Sequence, residues 1–465
     1  MRSHNLPRGA RAAARAGAAA LACLGLGAGC STDKLLEVTN PSIAQPNALS
    51  GTAGLTAYYA AAIGDFTAGF SGDPASPTGG SYEGLINYGG LLSDEIGSVD
   101  TFPTRNETDR RSTQFDNASN ADVFRAIQRA RATAELAAAQ FAASSVAGAA
   151  SDPRRAEVLS LAGFAYILMA EDYCSGVPVG TIGADGQTVQ NGTPQTTQQL
   201  LQTAVAKFDT ALTVLAGSPA NTNAARAAAA NVTNLARVGR GRALLDLNRP
   251  ADAAAAVASV PAGYEYDITT SANTQRQNNG VFYFSNLNQR FSAIDREGGN
   301  GLPYLSANDP RVPYQDTGAP GFDGARRLIA QQKYPLRTSS IPLATGAEAL
   351  LIQAEAALAT PATFVSLLNQ ARAAVNDTAT VTDPGSDTAR VSLLFQERAF
   401  TLWLTAHRLG DMRRLVRVYQ RPANQVYPVG RYSGGGSYGT DVNLPIPVQE
   451  QNNPNYTGAC DKTAA

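Results

Sequence analysis

Histidine and tryptophan are nearly missing from this chain: among 465 residues there are two His, His4 and His407, and one Trp, Trp403. With His4 in a segment that reads as a removable leader, His407 stands alone in the mature chain. That excludes a multi-histidine metal site, and a Ser-His-Asp triad would have to draw its base from the middle of an apolar helix. Charge is scarce as well, at 16% of residues against a usual share of about 25%. Polar surface therefore comes largely from Ser, Thr, Asn, Gln and Gly. The formal charge is −1, and removing the leader's Arg2, Arg8, Arg11 and Arg15 takes it to −5. A mildly acidic body argues against nucleic acid as a partner. Past the leader, no stretch approaches the ~20 continuous apolar residues of a membrane span. Phosphate-cradling loops are missing too: Ser433-Gly434-Gly435-Gly436 lacks the Lys and the strand-to-helix setting. The acids offer many carboxylate pairs, but no spacing singles out a glycosidase-like one.

The leader comprises residues 1–29. An Arg-containing start runs into Ala16-Gly17-Ala18-Ala19-Ala20-Leu21-Ala22-Cys23-Leu24 and ends at Leu26-Gly27-Ala28-Gly29-Cys30. This order is similar to a lipoprotein signal, in which Cys30 becomes a lipidated mature N-terminus and two or more acyl chains give stable anchoring. Residues 30–50 then form a polar tether. Of the four cysteines, Cys174 and Cys460 are left as an even pair in an oxidising compartment, and a disulfide between them is expected.

The rest of the chain reads as mainly α, with tetratricopeptide-like helical hairpins and a loop-rich subdomain. A helix with Leu55, Tyr58, Tyr59, Ala62 and Ile63 on one side opens it. Residues 67–119, rich in Gly, Ser, Asn and Asp, read as a long loop region. Helices are predicted at 121–145 and 153–173, the second started by Asp152-Pro153 as cap and first-turn proline. Its Leu159-x-x-Ala162-Gly163-x-x-Tyr166 is similar to the first helix of a tetratricopeptide repeat, where a small residue admits the partner helix. Further pairs fall at 197–216 and 231–259, with Thr196 and Gln199 as a capping box and Asn248-Arg249-Pro250 as a turn, and at 344–359 and 361–376. The fourth element is a continuous helix over 394–415, containing Glu397, Trp403, Arg408 and Asp411, whose charges are expected to be paired. Between the second and third pairs an aromatic, Gly- and Asn-rich insert, about 262–343, reads as irregular except for a short strand at Val281–Phe284.

Taken in order, Cys30, Leu36-Glu37-Val38-Thr39-Asn40-Pro41, Leu351-Ile352-Gln353-Ala354-Glu355-Ala356, the Glu397-Arg398 to Asp411-Met412-Arg413-Arg414 segment, Leu444-Pro445-Ile446-Pro447 and Asn453-Pro454 resemble the SusD/RagB outer-membrane nutrient-uptake lipoproteins. The resemblance runs over nearly the whole mature chain. It implies one SusD-like domain over 51–465, a helical scaffold carrying a ligand-binding subdomain, no catalysis, and a TonB-dependent SusC-like transporter over which the protein sits as a hinged lid. The ligand would be an oligomeric nutrient, a glycan or a peptide.

Aromatic faces stack on the CH surface of a saccharide while Asn, Asp and Arg take its hydroxyls; a peptide needs aromatic pockets and polar groups for its backbone. Two regions carry that mixture: Tyr82, Asn87, Tyr88, Asp94, Phe102 and Arg105 in the early loop, and Tyr304, Asn308, Tyr314 and Phe322 in the insert. Asp94, Glu95 and Asp100 could hold calcium through oxygen ligands, although the spacing is not that of an EF-hand; no other cofactor is expected. The alternatives are an envelope scaffold that binds other proteins and, further off, a surface hydrolase.

Overall fold

The computed structural model describes residues 49–465 apart from 76–81, 184, 186–187, 220 and 459. The leader, Cys30 and all of the tether but its last two residues lie outside the described residues. Leu49–Ala465 forms one compact unit.

Eight helices build the scaffold in sequence: α1 (Gly51–Ser71), α4 (Ala118–Ala143), α5 (Pro153–Asp172), α6 (Thr197–Ala216), α7 (Asn223–Asp246), α8 (Pro250–Val257), α9 (Gly346–Ala356) and α10 (Pro361–Ala374); α2 (Gly84–Leu92) and α3 (Pro103–Asp109) interrupt the first pair. From α4 to α8, each helix packs on the next, and α8 passes the stack to α9 and α10. This layered order is that of stacked helical hairpins. The starts follow local chemistry. Asp152 accepts from the Arg154 amide, and Thr196 and Gln199 complete a reciprocal capping box. Gly163 of α5 and Gly239 of α7 face the Phe208 ring of α6, and a Cβ on them would stand 2.7 Å and 2.3 Å from it. Only glycine permits so close an approach.

Three readings of the sequence are corrected. Residues 67–119 are not a long loop: α2, β1 (Ile96–Ser98) and α3 occupy them, and residues 82–100 are buried throughout. A helix covered on every side has no polar stripe, so the period that betrays a surface helix is missing. Val281–Phe284 is no strand, since Asn279 caps a helical turn over Gly280–Phe282 that continues as a π-turn to Leu287.

The third correction concerns 394–415. It is two helices, α11 (Asp387–Thr401) and α12 (Arg408–Arg417), with Leu404 and Ala406 left-handed at φ 55° and 56°. The break is held from outside. Glu95 accepts from the Leu404 amide at 2.9 Å, the Tyr334 hydroxyl donates to the Leu404 carbonyl at 3.0 Å, and Arg242 and Lys333 take the carbonyls of Ala406 and Trp403. These bonds satisfy backbone groups that a continuous helix would have paired internally, and they allow Trp403 to be fully buried.

The insert carries β2 (Glu265–Ile268), β3 (Phe291–Ala293), β4 (Tyr314–Pro320), β5 (Arg327–Gln331) and β6 (Ile341–Thr345), in two-stranded antiparallel pairs β1–β3, β2–β6 and β4–β5. Cys174 and Cys460 form a disulfide with Cα atoms 5.4 Å apart. Beside it, Asp172 accepts from the Leu444 amide at 2.7 Å and Cys174 donates to the Leu444 carbonyl at 3.0 Å, so the tail is stitched to the end of α5. Among the described residues no helix is long and apolar enough to cross a membrane.

Candidate ligand-binding site

The charges around the α11–α12 break are structural. Arg408 pairs with Asp94 through two bonds of 2.6 Å and 2.9 Å; Asp411 accepts from Arg398 and Arg414; Glu397 accepts from Arg311 and Arg372. The arginines around Asp411 hold its carboxyl well below the usual range, against the opposing effect of burial. Asp411 and Arg414 pair within one turn of α12, whereas Glu397 and Arg408 lie on different helices and take different partners.

This architecture also sorts the candidate ligand residues. Tyr82, Asn87, Tyr88, Asp94, Arg105 and Tyr304 are buried. Tyr88 donates to Asn117 and accepts from Thr108; the Arg105 guanidinium bridges Glu83 and Asp100; Tyr304 packs against Phe400 and Trp403. Asn308 is exposed and Tyr314 half-buried, but Tyr314 pairs with Gln331 at one end of the β4–β5 hairpin while Phe322 lies beyond Pro320 at the other. Asp94 and Asp100 turn to arginines and Glu95 to a backbone amide, rather than toward one another. Among the described residues no group of three or more His, Cys, Asp or Glu is placed to hold a metal ion.

Phe102 and Phe322 behave differently. They remain 46% and 48% exposed, although apolar rings of that size are normally covered. Phe102 stands at the start of α3, and Phe322 in the β4–β5 turn, where its N–H donates a hydrogen bond to the Gln289 carbonyl. Both touch one cation: the Arg290 guanidinium lies 5.0 Å from the Phe102 centroid and 3.8 Å from that of Phe322. Arg290 is in turn tied to Asp100 at 2.8 Å. Beside this platform lies a cleft of about 400 Å³ lined by Asn106, Glu107, Arg110, Asp323, Arg326 and Tyr432 among others. Arg326 organises it, donating to Asp323 at 2.6 Å, to Asn106 at 3.0 Å and to the Tyr432 hydroxyl at 3.1 Å, while Tyr432 donates to Asp109 at 2.7 Å. Burial pushes the Asp109 carboxyl up to about 7. Two fixed aromatic rings beside a polar cleft can stack on a ring-shaped ligand and hold its hydroxyls.

Arg290, Arg326, Asn106 and Tyr432 escape the sequence reading. They come from three distant segments, and no spacing links them.

The described residues thus form a helical-hairpin scaffold that presents loop-borne aromatics beside a polar cleft. No protein-family model and no curated protein matches the sequence. Solved structures do. A SusD superfamily protein from Bacteroides fragilis matches at 15% identity and TM-score 0.60, covering 86% of this chain and 98% of that one. A laminarin-binding SusD-like protein matches at 13% identity and TM-score 0.60, over 87% and 98% of the two chains. A SusD-like carbohydrate-binding protein from Bacteroides fragilis matches at 16% identity and TM-score 0.58, over 88% and 99%. The chain therefore has the SusD/RagB fold that its ordered motifs resemble.

Proposed function

We propose that this protein is a non-enzymatic glycan-binding lipoprotein, anchored to the outer membrane through Cys30, that captures an oligosaccharide on the Phe102–Phe322 platform and delivers it as the lid of a TonB-dependent SusC-like transporter. One observation carries the binding reading: two half-exposed phenylalanines from separate loops, held against Arg290, flank a polar cleft on a SusD-like fold. Printed descriptions of carbohydrate and laminarin binding for proteins of this fold support the choice of a glycan over a peptide. The leader and Cys30 support the anchor, and the family resemblance supports the transporter partner. An electrophoretic retardation screen of the mature domain against neutral and acidic polysaccharides, laminarin among them, tests the reading. Retardation by at least one polysaccharide that Phe322→Ala abolishes is the expected result; retardation by none, with casein-derived peptides bound instead, overturns it.

A further inference from the structure

A second cleft, of about 400 Å³, is lined by Thr401, Leu402, Thr405 and His407 of the α11–α12 break together with residues of β6, the Pro310–Pro313 segment and α9. It shares no lining residue with the platform's cleft. Two of its groups are incompletely partnered. Lys333 donates once, to the Trp403 carbonyl, its ammonium lies 5.8 Å from the centroid of the Tyr334 ring, and among the described residues no carboxylate forms an ion pair with it, which leaves two of its three N–H bonds without a hydrogen-bond acceptor. Desolvation nonetheless pushes its ammonium down to about 8, so that it is charged at neutral pH. Neither nearby carboxyl neutralises it: burial raises Glu95 to about 8 and keeps it protonated, and Glu265, on the wall of the same cleft, attracts the ammonium without forming an ion pair with it.

The other is Glu348, at the start of α9, whose buried Oε1 accepts no hydrogen bond. His407 Nε2 stands 3.1 Å from it, yet the network denies it a proton there. His407 Nδ1 lies 2.9 Å from both the Thr405 carbonyl and the Thr405 hydroxyl, whose own hydrogen goes to the Leu402 carbonyl, so this network assigns the ring hydrogen to Nδ1, while Nε2 lies 2.9 Å from Arg242 Nη1 and accepts from it. Burial lowers the His407 pKa and favours this neutral form. The remaining cation of the cleft, Arg311, is consumed by Asp309 and Glu397. The cleft thus offers an unspent ammonium and an unspent carboxylate oxygen, within the volume range of small-molecule sites.

We propose that this cleft is a second ligand site, for a monosaccharide-sized sugar acid whose carboxylate pairs with Lys333 and whose hydroxyl donates to Glu348. A neutral sugar leaves Lys333 unpaired, and a simple carboxylate leaves Glu348 unpaired. The site needs both groups in one molecule, and that distinguishes it from a general anion trap.

Lysine is rare enough for a direct test: the chain has Lys34, Lys207, Lys333 and Lys462 only. Lys207 and Lys462 are held by Glu135 and Asp441, which makes them internal controls. In protein labelled with 13C at lysine Cε, sodium glucuronate should move the Lys333 resonance alone, saturably, and raise its titration midpoint; glucose and sodium acetate at equal ionic strength should not. By calorimetry, Lys333→Met should weaken glucuronate binding by about tenfold or more while leaving polysaccharide retardation on the platform intact. A Lys333 resonance unmoved by glucuronate, or moved equally by acetate or glucose, overturns the proposal. The wild-type spectra decide the matter even if the variant fails to fold, and polysaccharide binding at the platform stands or falls separately.

Discussion

Arg408 and Asp94, 314 residues apart in the chain, meet in a buried two-bond ion pair at 2.6 Å and 2.9 Å. The pair fastens the first turn of α12 to the loop between α2 and β1. Neither partner is available to a ligand. Removing one leaves an uncompensated buried charge, which costs about 3–5 kcal/mol. Asp94→Ala should therefore lower the denaturation midpoint sharply in urea titrations. An unchanged midpoint would show the pair to be dispensable.

The Cys174–Cys460 disulfide spans 286 residues, and its removal should also be felt. The chain-entropy model gives an upper bound of about 5 kcal/mol for so long a loop. Because the Leu444 bonds to Asp172 and Cys174 hold the tail independently, the fold should survive in the Cys174→Ser, Cys460→Ser double variant with a lower midpoint. Protease digestion should then start at the C-terminal tail; cleavage starting in the helical scaffold would contradict this.

Glu95 makes stability depend on pH. Burial raises its folded pKa to about 8, against about 4.3 in an unfolded chain. Between those values the folded state binds the extra proton, so this group's contribution is fully present below the unfolded pKa and is lost as pH rises through 8. His407, with its lowered pKa, acts oppositely below about 6.5. The comparison must therefore be between variants. Wild type should lose stability relative to Glu95→Gln as pH rises from 5 to 8, at a slope approaching one proton. Parallel curves would show that Glu95 is ionised in the fold.

Much of the scaffold was legible because its signals are local. The Asp152-Pro153 start and the Thr196–Gln199 box are fixed by residues two or three apart, and Gly163 announces a close helix neighbour. The break after Thr401 was not legible, since the groups that hold it, Glu95, Arg242, Tyr334 and Lys333, come from remote segments and outweigh the helical preference of Leu402–Ala406. α2 was hidden by its own burial. Composition identified Phe102 and Phe322 as candidates but gave equal standing to Tyr88 and Tyr304, which fill the core. Exposure separates them, and exposure is a property of the whole fold.

In the function proposed above, anchoring rests on Cys30 and is separable from binding. Cys30→Ser should move the protein from the membrane fraction to the soluble fraction and abolish incorporation of labelled palmitate, with polysaccharide retardation unaltered. Membrane retention of that variant would remove the lipoprotein reading while leaving the platform untouched.

In the proposed function, Phe102 and Phe322 hold the glycan. The most direct test is calorimetric titration of the wild-type domain and of Phe102→Ala and Phe322→Ala with the polysaccharide that retards it most. Each ring should be worth about 1 kcal/mol of stacking, so each variant should bind about five- to tenfold more weakly, with wild-type thermal stability. Wild-type affinity in both variants would contradict the account.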